Sequence, residues 1–130
     1  MTVVRKINHE LAIAGQITPQ QFQLIADDGY KSVINLRSSD EIDLLDHEQE
    51  KMEFFGLIYI NYPTKVAEIT HQATFEIFQI IKELPKPMLI HCDNAIRSAA
   101  IVFLYIANKQ GINFETAWQR AIDLGLLEFE

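Results

Sequence analysis

An apolar run, Met88-Leu89-Ile90, leads into His91-Cys92-Asp93-Asn94-Ala95-Ile96-Arg97-Ser98, and a nearly uncharged apolar segment over 99–107 leads out. A buried strand that passes through a short loop into a buried helix is the building unit of an α/β sheet. Few other folds accommodate it. The loop also carries the only cysteine of the 130 residues. A thiol at that junction, with an arginine and a serine just downstream, points to nucleophilic sulfur chemistry on an anion.

The remaining segments repeat the alternation. Residues 3–7 and 11–14 read as two short strands of a hairpin, and Gly15-Gln16-Ile17 as a turn. Thr18 then has the character of a helix N-cap, with Pro19 at the first helical position and Gln21 three residues after the cap. That helix is expected to turn Phe22, Leu24 and Ile25 inward and to stop at Gly29. A strand over 30–36 ends in a loop at Arg37, and a helix over 43–55 stops at Gly56. After a strand over 57–61 and a loop, Thr70 caps a helix with Phe75, Phe78, Ile81 and Leu84 at helical spacing, ended by Pro85 and Pro87. Beyond the 88–90 strand, a helix over 98–110 is apolar nearly all round and therefore central. Gly111 ends it, and Asn113 or Thr116 starts a last amphipathic helix whose Trp118 packs onto the sheet.

The fold class this predicts is α/β: a central, largely parallel sheet of about four to five strands flanked by helices. The expectation is a single domain over 1–130. Sites in such sheets form at the C-terminal ends of strands. The segments 37–41, 61–68 and 92–97 are three such ends and are expected on one rim.

Composition removes several classes of function. A net charge of −7, from 18 acidic and 11 basic residues, opposes a nucleic-acid binder, which needs a basic face. The apolar run over 99–107 is too short to cross a bilayer, and the N-terminus lacks the order of a secretory signal. A single cysteine forms no internal disulfide, so a reducing, cytoplasmic setting is expected. His9, His47 and His71 show no ligand spacing with one another or with Cys92, so no metal and no cofactor is expected.

A cysteine at the start of a strand-to-helix loop meets the amides and partial positive charge of the helix N-terminus. Arg97 adds a full charge and can bind two oxygens of a tetrahedral anion. These effects favour thiolate. The Ser98 hydroxyl can bond the sulfur as it leaves. His91 falls on the opposite side of the strand and suits a buried supporting hydrogen bond better than a base. The competing reading is a small buried cysteine with no chemistry. Arg and Ser at these two offsets arise by chance at about one cysteine in a few hundred.

The run HCDNAIRS resembles the signature loop of the tyrosine and dual-specificity phosphatases. The stretch AGQITPQQFQLIADDGYKSVINLR, over 14–37, resembles the opening of a bacterial phosphatase-like family that also occurs as the phosphatase-like domain of β-lactamase-hydrolase-like proteins. The likeness spans about 13–124. It implies a dual-specificity-phosphatase-like three-layer fold. Cys92 would be the nucleophile that becomes a phosphocysteine, and Arg97 would bind the phosphoryl oxygens. The amides of Asp93, Asn94, Ala95, Ile96 and Arg97 would line the anion loop, Ser98 would assist thiolate departure, and His91 would support from behind. The implied partner is a phosphorylated substrate or small oxyanion, with no metal.

This chain departs from the pattern in three ways. Four residues rather than five separate Cys92 from Arg97, a spacing shared with single-domain rhodaneses. Ala95 stands where glycine is usual, and Asp93 puts a carboxylate beside the nucleophile. The loop over 61–68 has no Asp to act as general acid, which leaves Glu68, Asp40 or Glu41. Arg37 and Lys65 read as solvated surface. The function expected is a cysteine-dependent phosphomonoester hydrolase. The alternatives are a catalytically weak module that binds an oxyanion or a protein, and a sulfurtransferase working through a Cys92 persulfide.

Overall fold

Among the described residues, five strands form one sheet: β1 (Val4–Lys6), β2 (Leu11–Ala14), β3 (Ser32–Asn35), β4 (Ile58–Asn61) and β5 (Met88–His91), in the order β1-β2-β5-β3-β4. The computed structural model describes residues 2–65, 67 and 69–127. β1 pairs antiparallel with β2 at one edge, and the pairings β2–β5, β5–β3 and β3–β4 are parallel. β5 lies in the middle, with Ile90 opposite Ile13 on one side and Ile34 on the other. A parallel strand in that position is covered on both faces and has to be apolar throughout. Met88, Leu89 and Ile90 are each 0 % exposed.

Alternation along the strands divides the core in two. Met88, Ile90 and Cys92 point, with Leu11, Ile13, Ile34 and Leu36, toward α3 (His71–Glu83), α4 (Ile96–Lys109) and α5 (Phe114–Asp123). Leu89 points the other way, with Ala12, Ala14, Val33 and Tyr59, toward α1 (Pro19–Asp27) and α2 (Glu48–Phe54). The result is a three-layer α/β domain. The period of two also sends the neighbours His91 and Cys92 to opposite faces.

The helix starts follow the chain's capping residues. The Gln21 Oε1 accepts the Thr18 backbone N–H at 3.2 Å. Thr70 Oγ1 accepts from Ala73 N at 3.2 Å, and Asn113 Oδ1 accepts from Glu115 N at 3.0 Å. Four expectations change. The second helix begins at Glu48 instead of 43, because Asp43 and His47 hold φ of 57° and 58°. The carbonyls of Ile42 and Asp43 there serve the Arg37 guanidinium instead of a helix. The helix after the cysteine loop starts at Ile96 instead of 98. Leu24 and Phe75 face outward, 50 % and 48 % exposed, because the inward faces are set by Phe22 and Ile25 in α1 and by Thr74, Ile77, Phe78 and Ile81 in α3. Trp118 packs α5 against the start of α3 instead of the sheet, with its ring 5.2 Å from that of His71.

The end of β2 touches the cysteine loop directly. Gln16 N donates to Asp93 O at 3.1 Å, and a Cβ on Gly15 would stand 2.9 Å from that same oxygen. Backbone cannot yield as a side-chain tip would, so only glycine fits. Gly15→Ala is expected to lower stability by about 1–3 kcal/mol through overpacking. Chemical denaturation of the two proteins measures the difference.

Candidate active site

The loop after β5 carries the sequence-predicted residues to the C-terminal rim of the sheet. Cys92 sits at its root, 0 % exposed, and its N–H donates to Ala14 O at 3.2 Å. Arg97 follows in the first turn of α4 and is also buried. Its Nη1 donates to Glu41 Oε2 at 2.8 Å, to Thr64 O at 3.1 Å and to Leu36 O at 3.3 Å. Its Nη2 donates to Glu41 Oε1 at 2.7 Å and to Asp93 Oδ1 at 3.0 Å. The rim loops after β3, β4 and β5 therefore meet on one guanidinium, as expected. Nε has no acceptor among the described residues.

Glu41 answers Arg97 with both oxygens. Its Oε1 also accepts from Arg37 Nε at 3.1 Å, and its Oε2 from Ser38 N at 2.8 Å. The Arg97 hydrogen bonds outweigh partial burial and hold the Glu41 pKa down at about 2, and Glu41 in turn raises that of Arg97. A carboxylate with this set of donors holds an arginine in place. Asp40 is exposed, and Lys65 Nζ donates to it at 2.7 Å. Hydrogen bonds from Lys65 and Ser38 lower its pKa, the opposite direction to the one a general acid needs. Glu68 lies outside the described residues.

The loop's own side chains hold part of its backbone. Asp93 Oδ1 accepts from Asn94 N at 2.9 Å, and Asn94 Oδ1 from Ile96 N at 3.1 Å. The amides of Asp93, Arg97 and Ser98 have no acceptor among the described residues. The Ser98 hydroxyl is buried and, among the described residues, is the one buried side-chain polar atom without a partner. Ala95 adopts φ 73° and ψ −9°, a left-handed conformation that costs an alanine about 1–2 kcal/mol. A cavity of about 470 Å³ opens above the loop, bordered by Glu41, Lys65, Asp93, Asn94, Ile96 and Arg97 on the rim and by Leu126 and Leu127 on its far wall. The Asp93 carboxylate, half exposed, stands on this cavity and on two of the donors an anion would use.

A buried polar group under the loop carries no local signal in the sequence. His91, 0 % exposed, places Nε2 2.9 Å from Glu48 Oε2 and Nδ1 3.4 Å from Cys92 O. Glu48 also accepts from Gln16 Nε2 at 2.6 Å and from the Tyr59 hydroxyl. Burial opposes the Glu48 charge, but hydrogen bonds from His91, Tyr59 and Gln16 outweigh it and its pKa is lowered. Burial and then Glu48 raise that of Tyr59. Arg37 is only 5 % exposed and donates to Gln16 Oε1 at 2.8 Å, so it belongs to this interior instead of the surface. Glu41 and Glu48 both stand at hydrogen-bonding distance from residues that the sequence singled out, Arg97 and His91. The acidic segment 40–50 was the available hint.

Two measurements test this geometry. Replacing Ala95 by Gly relieves the left-handed strain and is expected to stabilise the fold by about 0.5–1 kcal/mol. The Glu41 pKa, depressed from an ordinary 4.5 to about 2, gives the sign of an acid effect. Its stabilisation is complete above the unfolded value and is lost as pH falls through the folded one. Unfolding midpoints followed from about pH 6 down to about pH 2 should fall in that window, and Glu41→Gln should flatten the fall.

No family model matches the chain. Two β-lactamase hydrolase-like proteins, from two strains of Xylella fastidiosa, are 34 % identical over 102 residues, which is 75 % of this chain and 23 % of theirs. The chain thus spans about a quarter of the length of the curated relatives it matches. Among solved structures, a candidate phosphatase from Shewanella putrefaciens CN-32 superposes with a TM-score of 0.78 at 23 % identity, covering 93 % of this chain and 80 % of that one. Tk-PTP in its active form gives 0.72 at 20 % identity, covering 97 % and 88 %. The resemblance read from the sequence is therefore met twice: in sequence the chain is similar to the β-lactamase hydrolase-like proteins, and its fold is that of the tyrosine and dual-specificity phosphatases.

Proposed function

We propose that the chain is a cysteine-dependent phosphomonoester hydrolase. One observation carries the reading. Cys92, just past the end of the central strand, is separated by four residues from an arginine that Glu41, Leu36 and Thr64 aim at the loop, and loop amides lie there without acceptors. In the first step the Cys92 thiolate attacks phosphorus, the sulfur–phosphorus bond forms, and the ester oxygen leaves with its electron pair and takes a proton. In the second step water attacks phosphorus, the sulfur–phosphorus bond breaks, and thiolate and inorganic phosphate are released. The equatorial oxygens would rest on Arg97 and on the amides of Arg97 and Ser98. The unpartnered Ser98 hydroxyl would bond the departing sulfur. Hydrogen bonds lower the pKa values of Asp40 and Glu41, which makes both poor donors to the leaving oxygen.

A second reading rests on the buried sulfur. Cys92 does not border the cavity, and the Asp93 carboxylate occupies Arg97 Nη2 and the Asn94 amide. A loop that supplies its own anion is a weak catalyst, or a binding module that never turns over. On the hydrolase reading, a phosphoryl group displaces Asp93 from Arg97 as it enters.

The two readings separate on the protein itself. The hydrolase is expected to turn over p-nitrophenyl phosphate slowly and to lose that activity on Cys92→Ser, with vanadate as an inhibitor. Asp93→Asn, which withdraws the competing charge, is expected to tighten vanadate binding by about tenfold, equivalent to about 1.4 kcal/mol. Absence of Cys92-dependent turnover in both proteins, with vanadate still bound, decides for the binding module.

A further inference from the structure

The apolar stripe of α4 starts at the anion loop and continues away from it. Ile96 borders the cavity above the loop together with Arg97. Ala99, Phe103 and Ile106 follow on the same helix face, and they line a second cavity of about 630 Å³. Its facing walls are Ile13 of β2 and the segment after α5, with Leu124 and Leu126. Leu126 borders both cavities, so the one over the loop, with charged residues on its rim, and the apolar one along α4 share a wall. The volume is within the range of small-molecule sites, and the lining is mostly hydrocarbon, with Gln110, Arg120 and Asp123 as its polar members.

We propose that this groove takes the hydrocarbon chain of an amphiphilic phosphomonoester whose phosphoryl group sits on the Cys92 loop. The proposal rests on the hydrolase reading for the headgroup alone. The occupant follows from the adjacency of the two cavities: they share Leu126, and α4 carries Ile96 on one and Ala99 on the other, so a chain in the groove that passes Leu126 brings its end to the loop that, on the hydrolase reading, takes the phosphoryl group. The stripe from Ile96 to Ile106 rises about 15 Å along the helix, about the length of an extended alkyl chain of ten to twelve carbons. Leu124, 63 % exposed at the groove's mouth, and Phe103 on its floor would set the preference for such a chain.

Alkyl phosphonates, which lack the scissile ester, test the groove without turnover. Octylphosphonate is expected to bind the Cys92→Ser protein at least tenfold more tightly than butylphosphonate, since each fully buried methylene is worth about threefold to fourfold. Leu124→Ser and Phe103→Ser should each erase most of that gain. Leu124 is exposed, so its replacement leaves the fold intact if Phe103→Ser does not. Equal affinities for the two chain lengths overturn the proposal, as does a gain that both variants leave unchanged. It also fails if light scattering shows a dimer that Leu124→Ser converts to monomer, which would make the groove a face between two copies. Turnover of p-nitrophenyl phosphate without any chain-length gain sinks this proposal and leaves the hydrolase standing. A chain-length gain in binding without turnover of octyl phosphate or p-nitrophenyl phosphate does the reverse.

Discussion

The rim of this sheet is organised around one guanidinium. Arg97 binds a side chain from the loop after β3, a carbonyl from the loop after β4 and a carboxylate from its own loop. A planar fork of five N–H groups can satisfy several acceptors at once, which a lysine could not do. Glu41 is what keeps the fork from turning, and Arg37 and Ser38 keep Glu41 from turning. Loops that would otherwise be independent are therefore fixed relative to the cysteine. The charge of Arg97 is largely balanced by its own neighbours, Glu41 and Asp93, so the loop does not present a bare cation.

A second group of contacts works from the opposite face. His91, Glu48, Tyr59, Asn35, Gln16 and Arg37 link β5, α2, β4, β3 and the turn after β2 in one buried hydrogen-bonded chain. Each member is partnered, which is what makes such a group tolerable in an interior. Its position directly behind the cysteine loop means the loop is supported by polar contacts on one face and by the apolar packing of α4 on the other.

Much of this was legible in the chain. The parallel sheet followed from apolar runs alternating with helical segments, the caps at Thr18 and Thr70 followed from residue chemistry that acts within one turn, and of the two starts open for the last helix, Asn113 and Thr116, the structure uses Asn113. The cysteine loop and its arginine were visible because their spacing is local. What sequence could not give were the partners. Nothing near Glu41 or Glu48 says that one will clamp Arg97 and the other His91, since those contacts cross 56 and 43 residues. The same blindness placed Arg37 on the surface and began the second helix too early. A buried arginine drew the carbonyls of Ile42 and Asp43 away from helical pairing, and propensity within a window cannot register that. Outward-facing Leu24 and Phe75 show the limit of reading apolar spacing without knowing which stripe meets the sheet.

The absence of a side chain at Gly15 has a consequence for how the mouth can move. With Gly15 pressed on the Asp93 carbonyl, the β2 side of the loop is joined to the sheet through main-chain contact, which no rotamer change loosens. The opposite side is joined through the Arg97 side chain, to Glu41 and to the Leu36 and Thr64 carbonyls. The mouth of the loop is thus lopsided: main chain fixes its β2 wall, and a single guanidinium ties the loops after β3 and β4 to the other.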